Sequence, residues 1–180
     1  MLYISFACRL ALVAVMALAA VAKLRSRGVF AASLEGFDFV PVRLRRPLAV
    51  LVPAAELLIA LLLAVPATVT AGFLAAALFC CGLTVVPILV VARGKQVKCA
   101  CFGAGEVPMG GWHIARNAVL LAAAVLGSFV TIRLGDGVPA QIPGIALAVV
   151  AAGVLTTVIV FVDDIAALFA SPVAAGKSGR

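Results

Sequence analysis

The chain alternates long apolar runs with short polar interruptions, and each run is about as long as a bilayer crossing. A helix needs roughly 20 apolar residues to cross the hydrocarbon core. Residues 2–22 form the first run, with Arg9 its only charge. The second begins after Pro47 and continues to about 64, with Glu56 near its centre. A short turn over 66–72 leads into a third run, 73–92, which Pro87 is expected to kink. The fourth covers 112–132; the fifth covers 145–162, after the turn-rich stretch Gly135-Asp136-Gly137-Val138-Pro139. This pattern predicts an all-α membrane protein, a compact bundle of four to five transmembrane helices. It forms a single polytopic domain over 1–170, followed by a flexible cytoplasmic tail at 171–180. Ala20-Val21-Ala22 resembles a signal-peptide cleavage site, but the basic loop directly after it favours an uncleaved helix.

Composition agrees with the pattern. The 180 residues are 66% hydrophobic and 12% charged, whereas soluble domains run nearer about half apolar and a quarter charged. A water-soluble globule, a disordered chain and a disulfide-stapled secreted fold are excluded. The net charge of +7 sits between the apolar runs, as a topology signal and not a nucleic-acid face. Eleven Lys and Arg residues fall in the segment 23–46, the segment after the third run and the tail, against Arg133 alone on the other side. The positive-inside rule then puts the amino terminus outside and the carboxy terminus inside.

Chemistry concentrates in Lys95-Gln96-Val97-Lys98-Cys99-Ala100-Cys101-Phe102-Gly103. Two thiols one residue apart close a ring only if the backbone turns, which Gly103 and Gly105 make easy. A strained ring is readily reduced, as suits a catalytic disulfide. Lys95 and Lys98 favour thiolate at either sulfur. Incidental loop cysteines are the plainer alternative. A metal would need ligands beyond two thiolates; His113 is the obvious third, no second CxC or CxxC completes four, and no metal is expected. Cys8, Cys80 and Cys81 lie in apolar runs, where cysteine behaves as a small hydrophobe.

A carboxylate in mid-membrane is costly, so Glu56 should face the bundle interior with a partner or a proton. Arg9, Lys23 and Arg116 are candidate partners, and Asn117 could hydrogen-bond within the same cluster. A structural ion pair and a role in proton or quinone chemistry both account for such a group. The segment 25–46 carries Phe30, Phe37 and Phe39 among basic residues and reads as a membrane-surface contact. Trp112 reads as an interfacial anchor.

Together, Cys99-Ala100-Cys101-Phe102-Gly103, Gly111-Trp112, Arg116-Asn117, Arg9, Ala22-Lys23-Leu24 and Glu56-Leu57-Leu58 carry a resemblance. The chain resembles the methylamine-utilisation MauE family, within the DoxX-like group of small membrane proteins. Ala100 stands where that family often has glycine. The resemblance implies a multi-pass protein of the bacterial cytoplasmic (inner) membrane associated with thiol–disulfide chemistry. It also implies a thioredoxin-like partner and an exported protein substrate; in the namesakes that substrate is the small subunit of methylamine dehydrogenase. No motif marks a cofactor, although a quinone could take the electrons. Cys99 and Cys101 are the expected catalytic pair, with Phe102 and Gly103 shaping the turn. The charge count puts this pair at the inner surface, whereas oxidation of exported proteins needs thiols reachable from outside. A segment dipping into the bundle, an inverted topology or a relay across the membrane would each reconcile the two. The rival reading is a non-enzymatic scaffold or assembly subunit, and a transporter is a third.

Overall fold

The computed structural model describes residues 1–37, 40–94, 110–135 and 141–169, the last eight of these as backbone only. Asp38, Phe39, residues 95–109, residues 136–140 and the tail lie outside the described residues, and with them Cys99, Cys101, Phe102 and Gly103. No strand occurs among the described residues. Helix α1 is Leu2–Arg25, α2 is Arg27–Ser33, α3 is Val42–Ala64, α4 is Val69–Ala92, α5 is Gly111–Leu134 and α6 is Ile142–Phe169. Five of the six are long and apolar enough to cross a membrane, α2 being the short exception. The protein is therefore a multi-pass membrane protein: in lipid, a helix is the way for one segment to satisfy its own backbone.

Helices α1 and α5 lie deepest. Helix α1 packs on α3, α5 and α6, and α5 packs closely on α4. Leu12, Val15, Met16, Leu63, Phe73 and Ala124 form the buried apolar centre between them. Outward faces carry Leu58, Leu74, Leu78, Phe129 and Val150, all exposed, as expected of side chains that meet lipid tails. Helices α4 and α5 meet tightly at Gly127, where a Cβ would overlap the buried Phe73 ring. Small residues at such crossings let helices meet without a hydrophobic driving force between them. Helix α6 is the least buried span and packs on α1, with Gly144 against the Tyr3 ring.

Helix ends differ from the sequence expectation: α1 runs on to Arg25 and not 22, the last helix spans Ile142–Phe169 and not 145–162, and two further differences bear on the site. The second span starts at Val42, not after Pro47, and both Pro47 and Pro53 lie inside α3. A proline removes one donor, but within a bundle neighbouring groups can restore the balance, so the helix continues. Arg43, Arg45 and Arg46 thereby become helical instead of loop residues. The turn expected over 66–72 contracts to a 3-10 turn, Pro66–Thr68, before α4 begins at Val69. Close helix packing at Gly72 permits this, since a Cβ there would stand 2.8 Å from the Leu63 backbone nitrogen.

Candidate functional site

The two ends of the bundle treat polar residues differently. At one end, Arg9 extends from α1 to the end of α3, donating from Nε to Leu63 O at 2.6 Å and from Nη2 to Ala64 O at 2.9 Å. Thr68 Oγ1 donates to Leu62 O at 2.7 Å, and Val65 N donates to Leu61 O at 3.1 Å. The last four carbonyls of α3, which no helix can satisfy internally, are thus all paired. Arg9 therefore does not join Glu56. It caps α3 about two helical turns beyond Glu56, where the last carbonyls of the helix have no amide donors of their own.

At the other end the structure brings together Lys23, Glu56, Arg116, Asn117 and His113. Lys23 Nζ is 2.5 Å from Glu56 Oε1, with the two side chains only 4% and 2% exposed. Arg116 is buried beside the pair, within electrostatic range of both charges. Lys23 is thus part of the interior and not of the basic surface segment in which its sequence position placed it. Glu56 Oε2 is buried and has no hydrogen-bond partner among the described residues. Asn117 donates from Nδ2 to Leu83 O of α4 at 2.9 Å. Pro87, four residues after Leu83, has no N–H to give that carbonyl, so the Asn117 amide supplies the missing donor. His113 accepts the Gly110 N–H at Nδ1, 3.3 Å away, at the first turn of α5.

These groups form one wall of a cavity of about 200 Å³. Its other walls are apolar: Val15, Met16 and Ala19 of α1, Leu48 and Val52 of α3, Leu83 and Val86 of α4. The segment after α1 supplies a further wall, with Phe30, Ser33, Leu34 and Phe37. Phe30, Leu34 and Phe37 are buried against Val90, with Leu48, Val52 and Val86 around them. This corrects the surface reading of two of the three phenylalanines; the third, Phe39, lies outside the described residues. Lys23 Nζ lies 5.7 Å from the Phe30 ring centroid, a cation–π distance. The spacing Phe30, Leu34, Phe37 is that of one helical face, and it was the available signal that this basic segment folds inward. Arg25 and Arg27 remain exposed beside it.

The segment bearing the CxC pair leaves α4 at Gly94 and rejoins α5 at Gly110, at the cavity's end of the bundle. The remaining cysteines sit deeper. Cys80 is buried in the apolar centre, Cys8 packs half-buried against it, and Cys81 faces outward from α4. Trp112, at the start of α5, is 57% exposed on the bundle's outer face. No curated protein and no solved structure matches the chain. One family model does, that of Methylamine utilisation protein MauE, and since it matches residues 1–130, which hold α1 to α4 and nearly all of α5, the chain belongs to the MauE family.

Proposed function

We propose that this methylamine-utilisation-associated membrane protein supports thiol–disulfide exchange through Cys99 and Cys101, with a thioredoxin-like protein as its partner. One observation carries the reading: two thiols one residue apart, flanked by Lys95, Lys98, Gly103 and Gly105, in a MauE-family chain. The lysines favour the thiolate, and the glycines allow the turn that a ring of this size requires. One thiolate attacks the partner's disulfide and forms a mixed disulfide. The second thiol displaces it, leaving a Cys99–Cys101 disulfide and a reduced partner. Run in reverse, the same two steps oxidise a partner dithiol. The charge distribution supports a cytoplasmic side for this segment, with the amino terminus outside. An exported partner subunit is the end beneficiary that the family name favours.

The test is thiol trapping on intact cells, with variants retaining only Cys99 and Cys101. Labelling by a permeant maleimide that appears only after reduction is the expected result. Full labelling without reduction, together with an unchanged partner redox state when both cysteines are serine, overturns the exchange reading. Labelling by an impermeant maleimide after reduction overturns the orientation alone.

A further inference from the structure

We propose that the cavity between α1, α3, α4 and α5 binds the ring of a lipid-soluble quinone, with its hydroquinone form donating a hydroxyl to Glu56 Oε2. Four observations lead there. The first is size. A dry cavity of about 150 Å³ accepts benzene, so about 200 Å³ accommodates a substituted ring. The second is the wall: apolar side chains line most of the space, the aromatic Phe30 and Phe37 among them. The third is the orphan acceptor. Glu56 is 2% exposed and its Oε2 is unpartnered among the described residues. A buried carboxylate oxygen left so calls for a donor, and a hydroxyl supplies one. The fourth is the cationic side of the same wall. Lys23 and Arg116 carry only donors, suited to the carbonyl of the oxidised ring.

Charge selects among lipid-soluble ligands. An ionised fatty acid or phosphate headgroup brings acceptors only and would leave Glu56 Oε2 without a donor. A neutral ring that presents a hydroxyl in one state and a carbonyl in the other matches both halves of the wall. Binding itself does not depend on the cysteines. Combined with the exchange proposed above, and resting on it, a bound quinone is the class of oxidant that returns the dithiol to disulfide. The S–S bond forms while two electrons and two protons pass to the ring oxygens.

The experiment uses the full chain in lipid nanodiscs and follows quenching of Trp112, the sole tryptophan, by decylubiquinone, with decylubiquinol as competitor. Trp112 neighbours His113, which lines the cavity. Saturable quenching is expected, with apparent affinity weakened about tenfold or more by Val52→Phe or Ala19→Leu, which fill the cavity while keeping both members of the ion pair. Glu56→Gln is expected to weaken the hydroquinone more than the quinone. Linear quenching that is identical in the two filled variants would show partitioning into lipid and overturn the proposal. Displacement by dioctanoylglycerol as effective as by the quinol would also overturn it, in favour of a general hydroxyl-lipid site. Cys99→Ser/Cys101→Ser protein is expected to bind unchanged, so failure of the quenching leaves the exchange reading standing, and failure of thiol trapping leaves this one standing.

Discussion

Replacing Asn117 by Leu should destabilise the bundle only while Pro87 is present. The reason is a single carbonyl. In an uninterrupted helix Leu83 O would accept the N–H of residue 87, but proline has none. Asn117 Nδ2 fills the gap from α5 at 2.9 Å. Asn117→Leu leaves that buried acceptor unpaired, in surroundings with no water to replace it, at a cost of about 1–3 kcal/mol. Pro87→Ala restores the in-helix donor, and in that background the same change should cost well under 1 kcal/mol, roughly its side-chain repacking. The coupling between the two sites is then about 1–2 kcal/mol, well above the few tenths expected of unconnected positions. Unfolding in mixed micelles with rising sodium dodecyl sulfate content, run on the four members of the cycle, measures it. Equal losses from Asn117→Leu with and without Pro87→Ala would refute the reasoning, because the amide would then be acting through something other than the Leu83 carbonyl.

Three further outcomes follow from the same geometry. For the Lys23–Glu56 pair, Glu56→Gln should cost most, about 3–5 kcal/mol, since it leaves two buried cations side by side. Lys23→Met should cost less because Arg116 still faces the carboxylate, and the double change Lys23→Met/Glu56→Leu should approach the parent; micelle unfolding that ranks the double change worst would sink this order. Arg9→Leu strands Leu63 O and Ala64 O, so hydrogen exchange should rise at the α3–α4 turn by at least about tenfold, with Arg9→Lys restoring part of it. Gly127→Ala presses a methyl on the Phe73 ring and should cost about 1–3 kcal/mol, relieved by Phe73→Leu in the same chain, as read from thermal aggregation midpoints.

The class and placing of the five spans were legible because a bilayer imposes a single length and a single polarity on every crossing, whereas the short helix α2 was not. Boundaries were less so. Pro47 and the basic run before it look like loop chemistry, yet α3 starts at Val42 and carries Arg43, Arg45 and Arg46 in its first turns. The interior charge of Glu56 was legible from cost alone, and Lys23 and Arg116 were named for it by their depth along the spans. Arg9 shows where that logic stops. Depth along a helix gives the height of a side chain but neither its facing nor its competitors, and Arg9 bonds the two carbonyls of Leu63 and Ala64 at the end of α3 instead of the carboxylate. The cavity was not legible at all. One of its walls comes from Phe30, Leu34 and Phe37, residues whose basic neighbours hid a helical spacing.

A buried polar group in a membrane protein has two accounts, structural satisfaction and function, and the described residues separate them. Arg9, Thr68 and Asn117 each donate to a backbone carbonyl that its own helix leaves without an amide donor. Ser128 and Thr131 bond back within α5. These groups are explained by the backbone, and their removal should read out as stability. Two buried atoms lack such an account among the described residues, the Thr156 hydroxyl and Glu56 Oε2. A hydroxyl on the outlying α6 forfeits one neutral hydrogen bond. A carboxylate oxygen at the wall of a largely apolar cavity forfeits a charge-assisted one, about twice as strong. Packing alone could have been served by a leucine in place of Glu56, with a methionine in place of Lys23, at little or no loss of stability. The pair therefore points to a need that packing does not supply, and the cavity it borders lies at the end of the bundle from which the two thiols are strung.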